Sequence, residues 1–148
     1  MDLLQNIDVK QTQEAIDKQL RQYRTYQLTA PEDLLPKITP NYTLEMPAFT
    51  GLVNSKTENA AIENVEFEQK AQRFFSKFNR ALHKLTKKER EIIVKACLEE
   101  YPKFNYEIAN ELHLSERTFY RIKSKALYTL SLALNVVVYQ EDDEAVES

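Results

Sequence analysis

The chain has 148 residues, a formal net charge of −3, one cysteine and one glycine, with 43% hydrophobic and 29% charged residues. This length suits one domain, or one small domain with an appended arm, and this composition argues against a wholly disordered chain. The lone Gly51 excludes a glycine-rich phosphate-binding loop, and the lone Cys97 excludes an intramolecular disulfide. We expect a cytoplasmic protein without a membrane partner, because no signal peptide or membrane-spanning apolar run is visible.

Residues 1–28 predict a helical arm. Ile16, Leu20 and Tyr23 recur at helical spacing among good helix formers, which favours an amphipathic helix from residue 9 to 28. Its narrow apolar stripe is consistent with docking on the main core, or with contact to a partner such as a second copy in a homodimer.

Residues 29–59 predict a linker or extended arm. Four of the five prolines and the glycine lie here, and each proline disfavours helix at the residue before it. The segment also contains apolar residues, so parts of it are expected to lie along a surface of this chain or of another.

Residues 60–135 predict a helical DNA-binding domain. Its first helix carries an apolar face with intervals of mostly three or four residues, made of Ile62, Val65, Ala71, Phe74, Phe75, Phe78, Ala81, Leu82 and Leu85. The segment 70–90 holds eight basic residues and one acid, a local charge of +7. This basic segment fits either a solvated helix face or a surface that contacts phosphate.

A second helix is expected to begin after Thr86, because Thr86 and Glu89 have the spacing of a capping box. Pro102 is expected to end this helix. The residues expected to face inward are Ile92, Ile93, Ala96, Cys97 and Tyr101. Cys97 fits a small buried hydrophobic residue better than a nucleophile, because no basic cluster is specified beside it.

Residues 105–127 have the pattern of a helix-turn-helix, with "YEIANELHLSERTFYRIKSKAL" at 106–127. Ala109 is small where the second helix crosses, and Leu114 can fill the gap between the two helices. Ser115 can cap the second helix by accepting from the amide of Arg117 or Thr118. His113 stands where tight turns commonly take Gly, so we expect a strained turn residue or a phosphate neighbour there.

The outward side of the second helix is the candidate DNA-binding surface, because residues 116–125 carry a local charge of +3. We predict base contacts from Arg117, Tyr120 and Arg121, near the start of the helix. Ser115, Lys123 and Lys125 are better placed for phosphates. The predicted DNA-binding residues are Ser115, Glu116, Arg117, Thr118, Tyr120, Arg121, Lys123, Ser124 and Lys125.

The last helix is expected to reach at least Leu134, after which "NVVVYQ" either extends it or forms a short strand. Residues 136–148 predict an acidic tail, with "EDDEAVES" disordered. No carboxylate pair, Ser/His/Asp set or metal-ligand cluster has an interpretable spacing. We therefore expect no enzyme, no metal site and no cofactor.

Residues 85–127, "LTKKEREII...YEIANELHLSERTFYRIKSKAL", resemble region 4 of the sigma-70 family. The resemblance implies an all-α fold whose helix-turn-helix reads a promoter element. It places the base-reading positions at Glu116, Arg117, Tyr120 and Arg121. Tyr120 stands where that family usually has Arg, which implies a target other than the family's consensus element.

Over its whole length the chain resembles the ArpU family of phage transcriptional regulators. The shared arrangement is a helical N-terminal part, a proline-containing middle with a T-E-x-A-A-I segment at 57–62, and a sigma-region-4-like C-terminal half. The resemblance implies a regulator of late genes for packaging and lysis. Partners would be double-stranded DNA, with RNA polymerase or a second copy as a further partner. Two alternatives stay open: a small terminase subunit that binds a packaging site, and an interaction module that contacts RNA polymerase without DNA.

Overall fold

The computed structural model describes the backbone of residues 6–47 and 58–140, and side chains of 6–47 and 65–140. The predicted tail "EDDEAVES", the middle of the predicted linker, the first five residues and the side chains of the T-E-x-A-A-I segment lie outside the described residues. The described helices are α1 (Val9–Thr29), α2 (Glu58–Leu82), α3 (Lys87–Ile93), α4 (Asn105–Glu111) and α5 (Glu116–Ala133). A short 3₁₀ helix (Glu32–Leu34) and two strands, β1 (Lys37–Ile38) and β2 (Leu44–Glu45), lie between α1 and α2. The predicted all-α class is confirmed.

Helix α1 forms where its sequence predicts. Asp8 caps it, because its carboxylate accepts from the amide of Gln11 at 2.9 Å. Ile16 and Tyr23, spaced seven residues apart, are both buried against the rest of the chain. Burial raises the pKa of the Tyr23 hydroxyl above its ordinary value. The apolar stripe of α1 is therefore used inside this chain.

The main core lies where α1, α2, α3 and α5 pack together. Tyr23 of α1 contacts two rings of α2, with ring centroids 5.2 Å from Phe75 and 5.1 Å from Phe78. Such ring packing adds to the apolar burial. Fully buried members of this core include Phe75, Phe78, Leu82, Ile93, Leu98, Leu130 and Leu134. The inward face predicted for α2 is confirmed for its described side chains, whereas Ile62 lies outside them.

The described part of the proline-rich segment packs on this chain. Strands β1 and β2 pair antiparallel, and Leu44 of β2 is buried in the main core. The backbone amide of Leu44 donates to Asn79 Oδ1 of α2 at 2.9 Å. Arg90 Nε of α3 donates to the carbonyl of Asn41 at 3.0 Å. These contacts hold the hairpin against α2 and α3.

Helix α3 begins as its capping box predicts. Thr86 Oγ1 accepts from the Glu89 amide at 3.2 Å, and Glu89 Oε1 accepts from the Thr86 amide at 2.9 Å. The helix then widens into a π-helical turn at Val94–Leu98 and ends there, before Pro102. The inward position predicted for Tyr101 is wrong, because Tyr101 follows that end and is 81% exposed.

The segment after α5 pairs with the start of the chain. Helix α5 ends at Ala133, and the backbone amide of Asp8 donates to the Val138 carbonyl at 2.8 Å. Ile7 and Tyr139 form an antiparallel bridge. Of the two alternatives for "NVVVYQ", the structure therefore shows the extended, strand-like one.

Candidate nucleic-acid interface

Helices α4 and α5 are joined by a tight turn of the predicted kind. His113 has a φ of 57°, in the left-handed region, as its place in the turn predicts. The amide of Leu114 donates to the Ala109 carbonyl at 2.9 Å, which closes the end of α4. Ser115 Oγ accepts from the Thr118 amide at 3.2 Å, so the predicted cap of α5 is confirmed with Thr118 as donor.

A second core fixes α5 against α3 and α4. Ile92 of α3, Ile108 and Ala109 of α4, and Phe119 of α5 are buried together. Leu114 packs against them from the turn, as predicted for a residue that fills the gap. Each fully buried large side chain contributes about 2 kcal/mol from apolar burial. The inward face at the start of α5 therefore packs against α3 and α4 and is not available to a partner.

The outward face of α5 carries the predicted DNA-binding residues. Those that are exposed are Ser115, Glu116, Arg117, Tyr120, Arg121, Ser124 and Lys125, while Thr118 and Lys123 are half-buried. Arg117, Arg121 and Ser124 follow one another at spacings of four and three, so they lie on one side of the helix. Tyr120 is 44% exposed, with its ring edge-on to the buried Phe119 at 5.5 Å between centroids.

Two of the nine predicted residues take part in contacts that the sequence did not indicate. Lys123 Nζ donates to Asn105 Oδ1 at 3.0 Å, and Asn105 Nδ2 donates to the Tyr120 hydroxyl at 3.4 Å. Asn105 is the first residue of α4, so it joins that helix to the side of α5. No local pattern marks this role, because the partners are 15 and 18 residues away along the chain.

Ion pairs fasten α4 to α3. Lys95 Nζ donates to Glu91 at 2.7 Å and to Glu111 at 3.0 Å, and Lys103 also donates to Glu111. The hydrogen bond to Glu91 is the main cause that raises the pKa of Lys95 above its ordinary value, so this lysine stays charged. The hydroxyl of Tyr42, which lies between β1 and β2, donates to Glu91 at 3.3 Å. The network connects the β1–β2 hairpin, α3 and α4.

The basic segment divides into exposed side chains and one internal tether. Its exposed members are Lys70, Arg73, Lys77, Arg80, Lys84, Lys87 and Lys88. Arg90 differs, because its Nη1 donates to the Leu85 carbonyl at 2.7 Å while its Nε holds Asn41. Arg90 therefore stabilises the β1–β2 hairpin, and its guanidinium is already engaged and not available for a phosphate contact.

Cys97 lies in the π-helical turn, beside the main core. Burial raises the pKa of its thiol, which disfavours the thiolate. The structure thus agrees with a small hydrophobic residue at this position.

Within residues 6–47 and 58–140, no three His, Cys, Asp or Glu side chains come together as metal ligands would. None of the helices in the same part of the chain combines the length and the apolar character that a bilayer crossing requires.

These observations define an all-α protein with a helix-turn-helix unit whose outward face is basic. The chain is similar to one phage-related bacterial protein and one phage protein. One is "Uncharacterized phage-related protein Lin1259/Lin1739" of Listeria innocua, 27% identical over 135 residues that cover 91% of this chain and 94% of that protein. The other is "Protein Gp66" of Listeria phage A118, 27% identical over 135 residues that cover 91% of this chain and 92% of that protein.

No known family profile matches the chain. A search of solved structures found no match either. The similarity to the two Listeria proteins supports a phage association, and the resemblances to sigma-70 region 4 and to the ArpU family stay predictions.

Proposed function

We propose that the protein is a sequence-specific, non-enzymatic transcriptional regulator of phage origin that binds double-stranded DNA and controls late genes for packaging and lysis. The observation that carries the proposal is the division of α5 into two faces. Its inward face is buried in the two cores, whereas the outward face presents Arg117, Arg121 and Lys125 to solvent.

The proposed mechanism is insertion of the first turns of α5 into the major groove. Arg117 and Arg121 lie four residues apart on the exposed side, where each guanidinium can pair bidentately with a guanine. Lys125 and the exposed cations of the basic segment add phosphate contacts that weaken as salt rises. The buried second core holds α5 against α3 and α4, and the Lys95 ion pairs fasten α4 in turn, so little ordering is needed on binding.

A single helix-turn-helix offers few base contacts, so the proposal includes a further partner, either RNA polymerase or a second copy of the chain. The apolar stripe of α1, one candidate for that contact, is buried in the main core. The partner surface is therefore expected elsewhere on the protein.

The test measures DNA affinity by fluorescence anisotropy on duplexes that the wild-type protein enriches from a randomised pool. Arg117→Ala and Arg121→Ala should each weaken binding about tenfold or more and relax the preference at one base position. Lys37→Ala removes the same charge from an exposed position in β1, and should leave the base preference unchanged.

Wild-type affinity in both arginine variants would overturn the assignment of α5. Genome-wide mapping then separates the related functions: sites at promoters support regulation, whereas a site at the packaging end supports a small terminase subunit. A protein that binds RNA polymerase but shows no salt-sensitive DNA affinity would instead be an interaction module.

A further inference from the structure

Two aromatic rings at the start of α4 are exposed and stacked on each other. Phe104 and Tyr106 are each 67% exposed, and their rings are nearly parallel, with centroids 5.8 Å apart and an interplanar angle of 6°. In every other ring pair within 6–47 and 65–140, at least one ring is buried or half-buried. An exposed aromatic surface of this kind is typical of a binding site.

The residue between the two rings locates this ring pair relative to α5. Asn105 contacts Tyr120 and Lys123, both on the proposed DNA-binding helix, at 3.4 and 3.0 Å. The ring pair therefore lies at the end of α4 that touches the side of α5 through Asn105. When the second helix of such a unit lies in the major groove, its first helix crosses the sugar-phosphate backbone.

Resting on the proposed DNA-binding function, we propose that Phe104 and Tyr106 form a second DNA-contact element, which packs against the sugar-phosphate strand beside the major groove. The ring faces cover apolar deoxyribose carbons, and the Tyr106 hydroxyl donates to a phosphate oxygen. Lys123, held at the same edge by Asn105, supplies the positive charge.

The charges around the ring pair favour a nucleic acid over a cationic protein. The carboxylate of Glu111, at the far end of α4, is already paired with Lys95 and Lys103. Glu107 is half-buried, whereas the neighbouring outward face of α5 is basic. The ring pair therefore adjoins a surface that attracts anions.

The experiment compares the Phe104→Ala/Tyr106→Ala double variant with wild type on the same selected duplexes. We expect affinity about tenfold weaker with the base preference unchanged, because sugar-phosphate contacts carry no sequence information. Hydroxyl-radical footprints should lose protection only on the strand beside the groove. Tyr106→Phe keeps the ring and should weaken binding about threefold through loss of one hydrogen bond.

Leu28→Ala is the matched control, because it truncates an apolar side chain that is 70% exposed at the end of α1, and it should bind as wild type. Circular dichroism should show native helix content in every variant. Unchanged affinity and footprint in both ring variants, with weakened binding in the α5 arginine variants, would overturn this inference alone. Absence of specific binding by the wild-type protein would overturn the proposed function as well.

Discussion

Replacing His113 by Gly should stabilise the protein, because the turn between α4 and α5 holds this residue at a φ of 57°. A side chain with a Cβ costs about 1–2 kcal/mol in the left-handed region. Glycine loses more backbone freedom on folding, which offsets about 0.5–1 kcal/mol of that gain. Taking the middle of both ranges, the expected net gain is about 0.8 kcal/mol in the free energy of unfolding, or roughly 2–3 °C in Tm for a chain of this size.

Urea denaturation at matched m-values measures the difference, with His113→Ala as the comparison that keeps Cβ and removes only the imidazole. Glycine should be more stable than alanine by at least the net gain given above. A glycine variant no more stable than the alanine variant would refute the argument from backbone strain. The DNA affinity of His113→Ala tests the other expectation for His113, that it lies next to a DNA phosphate. If it does, this variant should bind DNA more weakly than wild type.

Thr86→Ala should lower the free energy of unfolding by about 1 kcal/mol, because the amide of Glu89 loses its acceptor, whereas Thr86→Ser should not. Equal losses in the two variants, measured in urea, would contradict the capping box. Hydrogen bonds from Lys103 and Lys95 hold the pKa of Glu111 below its ordinary value. This pairing therefore stabilises the fold above the ordinary glutamate pKa, and the stabilisation is lost as pH falls through the lowered pKa. Lys103→Met should raise the pKa of Glu111 in carbon-13 NMR titrations, and an unchanged value would show that the pair is not formed.

Features set by neighbouring residues were predictable from the sequence. The start of α3 follows from a hydroxyl and a carboxylate three residues apart, and both bonds of the capping box are present. The burial of Ile16 and Tyr23 follows from helical spacing. A regular helical period predicts the wrong environment for Tyr101, because the π-helical turn at Val94–Leu98 changes the period and then ends the helix.

The outward set on α5 was also predictable, since the cap at Ser115 fixes where the helix begins and the period then fixes its faces. The contacts of Asn105 were not, because they depend on the distance between two helices far apart along the chain. Phe104 and Tyr106 gave no signal either, since aromatic residues are expected inside a core. Their exposure is a property of the fold.

The two faces of α5 bear on how such proteins diverge. The inward residues Phe119, Ala126 and Leu130 are fully packed, so most substitutions there reduce stability. The outward side chains of Arg117 and Arg121 belong to neither core, and surface changes away from special contacts alter stability by less than about 0.5 kcal/mol. Selection can therefore change the outward residues of this helix one at a time while the fold stays the same.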